Sequence, residues 1–296
     1  MRVVIPDDYQ DAVRHLDCFA KLRGHDVTIY SDTVKDVDAL AERFRDADAL
    51  VLIRERTAIN DELLSRLPNL KLISQTGRGT NHIDVDACAR RGIEVAVGTG
   101  SPYAPAELTF ALILAAMRRI PPALQHILGR TLRGRTLGIY GYGKIGSLVA
   151  GYGRAFGMRV LVWGREGSQS RAHRDGYEVG PLFAESDVLS LHLRLTEETQ
   201  GIVKAADLAR MKPSALLVNT SRAELIEHGA LEAALRAGRP GFAAVDVYEE
   251  EPAVDDPLLS MQNVVCTPHL GYVEKDSYEL YFGQAFDNVN AFASRS

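Results

Sequence analysis

Four stretches of this chain carry residues whose types and spacing suit chemistry. Gly141, Gly143 and Gly146 fall in the G-x-G-x-x-G pattern; Leu217-Val-Asn-Thr-Ser-Arg222 ends in a guanidinium; Asp246-Val-Tyr-Glu-Glu-Glu251-Pro252 has an acid at its start and another near its end; Cys266-Thr-Pro-His269 ends in an imidazole. The glycines follow the apolar, β-prone run 137–140 and precede a helical face begun by Ile145, Leu148 and Val149, which reads as strand, tight turn and helix. In that setting Gly141 permits the sharp turn, Gly143 lets the backbone approach a pyrophosphate, and Gly146 lets helix and strand pack closely. A phosphate there meets unpaired N–H groups and the favourable end of the helix dipole. A second glycine pair, Gly151 and Gly153, lies inside the helical run and reads as close packing. Imidazole holds and releases a proton near neutral pH. Guanidinium offers a planar fork matched to a carboxylate.

The elements that must position these residues follow from the apolar pattern. Before the glycine turn, strands are predicted at 3–5, 26–30, 49–53, 70–74 and 93–97, with helices at 11–22, 37–44, 61–67 and 84–91 between them. Such alternation means a parallel sheet covered on both faces. Gly98 to Pro105 has linker composition and is followed by a long helix marked by Leu108, Ala111, Leu112 and Ala115, which Pro121 and Pro122 should end. The second half repeats the alternation, with strands at 159–163, 188–193, 215–219, 241–246 and 264–266, helices at 146–156, 205–210 and 230–237, and a last helix over 275–292. The expected fold is α/β with two doubly wound parallel-sheet domains. A dinucleotide-binding Rossmann domain (101–271) is inserted in a flavodoxin-like substrate domain (1–100 plus 272–296). Ligands of such sheets sit beyond the carboxyl ends of strands, so the topology gathers the loops bearing Arg222, Glu251 and His269 around one crevice. In the first domain the same rule points to Arg54 and Arg56 after one strand and to Gly77, Arg78 and Gly79 after the next. Successive N–H groups of that second loop could form an anion nest.

The strand after the glycine turn ends in Gly164-Arg165-Glu166, where a Rossmann domain contacts the adenosine ribose. An acid at Gly164 would accept both ribose hydroxyls and repel a 2′-phosphate, whereas glycine followed by arginine does the reverse. This favours NADP, while Glu166 keeps NAD open.

Composition bounds the rest. The chain has 296 residues, a net charge of −5 and no basic cluster, which argues against a nucleic-acid surface. No segment approaches the length of a membrane span, so no membrane partner and a cytoplasmic location are expected. Cys18, Cys88 and Cys266 are scattered and odd in number, supporting neither a disulfide framework nor a zinc site.

Taken together, the four motifs in this order make the chain resemble the D-isomer-specific 2-hydroxyacid dehydrogenase family over nearly its whole length. The resemblance implies His269 as acid/base, Glu251 as its carboxylate partner, and Arg222 as the clamp on the substrate's carboxylate and carbonyl. It also implies hydride transfer between NAD(P)H and C2 of a small 2-oxo or (R)-2-hydroxy acid. The substrate carboxylate is expected at Arg78 and Gly79 with Arg54 nearby. The dinucleotide is expected at Gly141, Gly143, Lys144, Ile145, Gly146, Gly164, Arg165, Glu166, Thr220 and Asp246, the last facing the nicotinamide, and no metal is expected. A homodimer is also implied, although the segment from Ile120 to Thr136, which the family uses in its dimer contact, looks short. Two further departures are Arg194, where the family has proline and which could help hold a 2′-phosphate, and Ala223, where it has glycine. The alternative is a dinucleotide-responsive corepressor-like protein of the same fold, which the presence of Arg222, Glu251 and His269 together disfavours.

Overall fold

A computed structural model describes residues 1–120 and 128–295. The expected helix end at Pro121 and Pro122, and part of the segment from Ile120 to Thr136, lie outside them. In chain order the elements are β1 (Arg2–Ile5), β2 (Asp26–Ile29), α1 (Val37–Phe44), β3 (Ala49–Ile53), α2 (Asp61–Leu64), β4 (Leu72–Thr76), α3 (Val85–Arg90) and β5 (Glu94–Val97). There follow α4 (Tyr103–Met117), β6 (Thr136–Tyr140), α5 (Lys144–Ala155), β7 (Arg159–Trp163), α6 (Glu166–Arg174), β8 (Glu178–Val179), α7 (Leu182–Glu185) and β9 (Val188–Leu191). The chain continues through α8 (Ala205–Leu208), β10 (Leu216–Asn219), α9 (Ala230–Arg236), β11 (Phe242–Val245), β12 (Val264–Cys266) and α10 (Lys275–Ala293). Two compact units result, Met1–Ser101 with Glu274–Ser296, and Pro102–Val273.

In the first unit the strand order is β2-β1-β3-β4-β5, all parallel, the flavodoxin-like arrangement. β3 (ALVLI) is buried at every position, as a strand covered on both faces must be. α1, α2 and α3 each start at an Asx cap: Asp36, Asn60 and Asp84 accept the N–H of Ala39, Leu63 and Ala87. α10 closes this unit. It buries Tyr278, Tyr281, Phe282, Ala285, Phe286 and Val289, a one-sided helical stripe, and its Ala285 carbonyl accepts the Ser74 hydroxyl of β4 at 3.0 Å. Each fully buried phenylalanine of this kind stabilises the unit by about 1.5–3 kcal/mol.

Two expectations fail here for reasons of tertiary hydrogen bonding. The helix expected at 11–22 is instead a pair of short 3-10 helices, Val13–His15 and Asp17–Leu22, broken at extended Leu16. The Glu279 carboxylate of α10 accepts the N–H groups of Asp17 and Cys18 at 2.6 and 2.9 Å, so the backbone finds its acceptor outside the local chain. The strand expected at 70–74 lies at Leu72–Thr76, which places polar Gln75 and Thr76 inside the sheet. Both find partners there, although the buried Gln75 Oε1 has none. Thr76 donates to the Leu52 carbonyl at 2.7 Å and accepts the Arg54 N–H at 3.0 Å, while the Gln75 amide donates to the Arg54 carbonyl at 2.8 Å.

In the second unit the order is β12-β11-β10-β9-β6-β7-β8. Counted from β6 as the first strand, this is the 3-2-1-4-5-6 Rossmann order extended by one parallel strand. α4 is apolar nearly all round, burying among others Ala106, Thr109, Phe110, Leu112 and Ile113. α6, β8 and α7 were not expected from sequence. α6 buries only Ala172 and both residues of β8 are exposed, so neither carries an apolar period.

Candidate active site

The reversal of strand order between β6 and β9 opens a crevice at the carboxyl end of β6, where the glycine turn lies. Gly141 has φ +105°, and a Cβ on it would sit 2.7 Å from the His192 carbonyl oxygen, so both conformation and space require glycine. A Cβ on Gly146 would sit 2.1 Å from the Gly141 oxygen and 3.2 Å from Ile139, the close approach of α5 to β6. Gly143 is the N-cap of α5, and the space beside it is open to 4 Å. The α5 N-terminus, with Lys144 and Ile145 as its first residues, therefore has the open, donor-rich geometry that could hold a pyrophosphate. Tyr142 turns away from that space, its hydroxyl donating to Asp175 at 2.7 Å.

At the end of β7, Gly164 packs toward the turn, 3.8 Å separating the direction of its missing Cβ from Gly141 Cα. Arg165 is the N-cap of α6 and Glu166 its first residue. The Arg165 guanidinium pairs with Glu198 at 3.3 Å, both side chains largely exposed, and is held in place for an anion only loosely. Arg194 is exposed and its carbonyl accepts the Thr199 hydroxyl at 2.6 Å. His192, one residue past β9, bonds Ser190 at 2.9 Å, and burial pushes its imidazole down to about 4, so it is neutral at neutral pH.

Three adjacent strand ends carry the remaining groups. After β10, buried Asn219 builds a tight turn, its amide donating to the Arg222 carbonyl at 2.8 Å and its oxygen accepting the Ser221 N–H at 3.1 Å. The Ser221 hydroxyl donates to the Leu191 carbonyl of β9 at 2.8 Å, and Arg222 Nη1 to the Ser221 carbonyl at 2.7 Å. Ala223 opens a 3-10 helix, Ala223–Leu225, a conformation that needs no glycine. Thr220 shares a 2.7 Å hydroxyl contact with Thr109 of α4. After β11, the Tyr248 N–H donates to Glu251 Oε1 at 3.2 Å, leaving Oε2 for the third strand end. There, His269 Nδ1 meets Glu251 Oε2 at 2.7 Å.

Burial pushes the Glu251 carboxyl up, but the hydrogen bond and charge of His269, the Tyr248 N–H and the charge of Arg222 together hold it below its ordinary range. Arg222 and His269 thus both lie within electrostatic reach of Glu251. The Tyr272 ring stands edge-on to the imidazole, centroids 5.7 Å apart. With Nδ1 donating to a carboxylate, Nε2 is the free face of the ring, and it carries a proton only in the imidazolium form.

Asp246, at the β11 end, is fully buried. Its Oδ1 accepts the Thr267 hydroxyl at 2.6 Å and the Leu270 N–H at 2.7 Å, and its Oδ2 accepts the Gly271 N–H at 2.9 Å. Nothing in the sequence motif indicates these bonds, because all three donors belong to the His269 segment.

In the first unit, by itself, Arg54 has φ +56° and Gly77 φ +108°, so two neighbouring strand ends carry left-handed turns. Gly98 donates to the Gly77 carbonyl at 2.7 Å, and a Cβ on Gly79 would sit 2.4 Å from a Glu55 carboxylate oxygen. Arg78 is exposed, while Arg56 stacks on the Tyr9 ring at 3.9 Å. His82, which sequence reasoning passed over, lies within the influence of Glu55 and Arg54, and burial holds its imidazole below the ordinary value.

A glycine turn before a helix N-terminus in a 3-2-1-4-5-6 sheet, with an imidazole–carboxylate pair beyond neighbouring strand ends, defines a dinucleotide-dependent oxidoreductase domain. Residues 110–271 match the family described as D-isomer specific 2-hydroxyacid dehydrogenase, NAD binding domain. The chain is 39% identical to a glyoxylate reductase of Aeropyrum pernix, over 86% of this chain and 83% of that one. It is 38% identical to a D-3-phosphoglycerate dehydrogenase of Mycobacterium tuberculosis, over 80% of this chain and 47% of that longer one. A crystal structure of a phosphoglycerate oxidoreductase from Vibrio cholerae O395 superposes with a TM-score of 0.97 at 54% identity, covering all of both chains. The chain belongs to the D-isomer-specific 2-hydroxyacid dehydrogenase family. It is an oxidoreductase working with a nicotinamide dinucleotide and a small hydroxy acid, and no helix among the described residues is long and apolar enough to cross a membrane.

Proposed function

We propose that the protein is a reductase of small 2-oxo acids that prefers NADPH, with His269 as acid/base, Glu251 as its partner and Arg222 as the substrate clamp. The observation that carries this is the 2.7 Å contact of His269 Nδ1 with a Glu251 carboxylate that Arg222 also influences, in the unit that holds the glycine turn. The bound dinucleotide supplies a hydride at the nicotinamide. The chain's residues do the rest. The Arg222 fork binds the substrate carboxylate and polarises the neighbouring carbonyl. Protonated His269 gives the Nε2 proton to the C2 oxygen and is left as the neutral Nδ1–H tautomer, which Glu251 holds in place. Arg54 and the backbone at Arg78 and Gly79 are proposed as further substrate-binding groups. Thr220 and Asp246 are proposed to meet the nicotinamide end, and Gly164, Arg165 and Glu166 the adenosine ribose.

Arg165 supports NADPH, because a 2′-phosphate dianion offers it a stronger partner than solvent-exposed Glu198 does. The protein is also proposed to be cytoplasmic and a homodimer, the latter as its family resemblance implies. The test is oxidation of NADPH and of NADH with glyoxylate, hydroxypyruvate and phenylpyruvate. Turnover of at least one, with kcat/KM higher for NADPH, is expected. A flat trace across the panel with dinucleotide binding retained would favour the corepressor-like alternative, and higher kcat/KM with NADH would overturn the cofactor preference.

Glu251 gives a second test. Its carboxyl is held below the ordinary carboxylate range, so it stays an ionised acceptor for His269 Nδ1 at neutral pH and is lost as that acceptor only as pH falls through that lowered range. Glu251→Gln removes the charge but keeps the shape, and kcat/KM for reduction is expected to fall about tenfold, the scale of one lost charge-assisted hydrogen bond, with NADPH affinity within about twofold. An unchanged kcat/KM, read from steady-state kinetics, would remove Glu251 from this role.

A further inference from the structure

The one buried carboxylate beside His269 that the proposed chemistry leaves without a chemical step is Asp246. Asp246 is proposed to meet the nicotinamide end, yet its bonds run elsewhere. A carboxylate has about four acceptor directions. Three of them on Asp246 are filled by Thr267 Oγ1, Leu270 N and Gly271 N, at 2.6, 2.7 and 2.9 Å, and these donors flank His269 on both sides. His269 itself has φ +54°, a left-handed conformation that costs a residue with a Cβ, and its N–H closes a tight turn onto the Thr267 carbonyl at 3.0 Å. Such a turn persists where the surroundings over-determine it.

Asp246 directly follows β11, a strand paired on both sides, with β10 and β12, so its own position is fixed by the sheet. A Cβ on Gly271 would sit 3.2 Å from Asp246 Oδ2 and 3.7 Å from Pro105 of α4, so the clasp is closed from the far side as well. The Tyr248 hydroxyl adds a donor to the Thr267 carbonyl at 3.1 Å, tying the Glu251 loop to the same turn.

We propose that Asp246 is a positioning residue for His269, clasping both flanks of the left-handed turn so that the imidazole meets Glu251 and presents Nε2. This rests on the reading of His269 as the acid/base. One acceptor direction, on Oδ2, remains for a donor at the nicotinamide end, so contact with the cofactor is compatible with the clasp and is not its main work. Burial pushes the Asp246 carboxyl up, against the lowering influence of its three donors and of the His269 charge, which is the expected cost of placing a full acceptor set inside the unit.

Thr267 lets the two jobs be separated without touching the carboxylate. Thr267→Val is nearly isosteric and deletes one clasp donor, while Thr267→Ser keeps the hydroxyl. In the purified full-length protein without cofactor, the imidazole N–H correlation of His269 at the Glu251 hydrogen bond is followed by NMR. In the same preparations NADPH affinity is measured by fluorescence titration, and kcat with glyoxylate where wild type turns it over. The expected result is that Thr267→Val broadens or loses the His269 signal and lowers kcat about tenfold, while NADPH affinity stays within about twofold and Thr267→Ser restores both, the scale of one lost charge-assisted hydrogen bond. A Thr267→Val protein with an unchanged His269 signal, or one that loses NADPH affinity while keeping kcat, would overturn the proposal. Absence of turnover of glyoxylate, hydroxypyruvate and phenylpyruvate alike in wild type would count against the reductase reading, whereas the NMR comparison in cofactor-free protein tests the clasp by itself.

Discussion

Replacing His269 by asparagine lowers kcat for 2-oxo acid reduction by about 10²–10⁴-fold, the range that loss of a positioned general acid produces. Asparagine is the informative substitute because His269 has φ +54°, and asparagine adopts the left-handed region more readily than other residues with a Cβ. The turn clasped by Asp246 therefore survives, and the loss reports the missing proton donor. Affinity for NADPH should stay within about twofold on this account, since the proton and not the dinucleotide has lost its partner. Steady-state kinetics together with fluorescence titration of the dinucleotide check both halves. A variant that retained kcat within a factor of about three would show that the C2 oxygen takes its proton from another group.

Arg222→Lys is the second large effect, and its size rests on geometry at constant charge. Lysine keeps the positive charge that helps hold Glu251 ionised, but it offers a point donor in place of a planar fork. Loss of two parallel charge-assisted bonds to a carboxylate, at about 1.5 kcal/mol or more each, corresponds to a fall of about 10²-fold or more in kcat/KM. Both parameters should worsen. KM rises because the substrate carboxylate loses its clamp, and kcat falls because the polarised carbonyl does. Initial-rate kinetics over a wide glyoxylate range measure this, and an unchanged KM would place the clamp on another residue. The Asn219 turn is built from the Arg222 carbonyl and the Ser221 N–H, and the Arg222 side chain adds to it only the Nη1 bond to the Ser221 carbonyl, which a lysine ammonium can also donate.

Comparison of these residues with the sequence shows where local pattern suffices. The glycine turn was legible because each glycine answers a local need: Gly141 a positive φ against the His192 carbonyl, Gly146 a helix packed against its own strand. Strands β3, β7 and β12 were legible to the residue, β3 and β12 as apolar runs and β7 as Val-Leu-Val between Arg159 and Trp163. The strand ends bearing Arg222, Glu251 and His269 followed from parallel topology, and their resemblance to a family pattern supplied the pairing that the structure contains as a 2.7 Å bond.

What pattern could not supply depends on partners far away in sequence. The 11–22 segment has helical composition, but Glu279 offers its backbone another acceptor. Gln75 and Thr76 look like loop residues, yet the Arg54 turn gives them buried partners. α6 carries no apolar stripe because only Ala172 is buried. Asp246 belongs to the same class: its residue type and place were visible, while its three donors, all more than twenty residues later, were not.

The most direct measurement is a crystal structure of the protein with a bound nicotinamide dinucleotide and oxamate, which mimics a 2-oxo acid and is not reduced. The account predicts the oxamate carboxylate and carbonyl on the Arg222 guanidinium, with His269 Nε2 within about 2.6–3.2 Å of the carbonyl oxygen. His269 Nδ1 should remain on Glu251, and the nicotinamide ring should lie against the opposite side of the reacting carbon, its pyrophosphate at the Gly141 turn. Oxamate bound away from Arg222, or an imidazole turned from the carbonyl oxygen toward solvent, would contradict it.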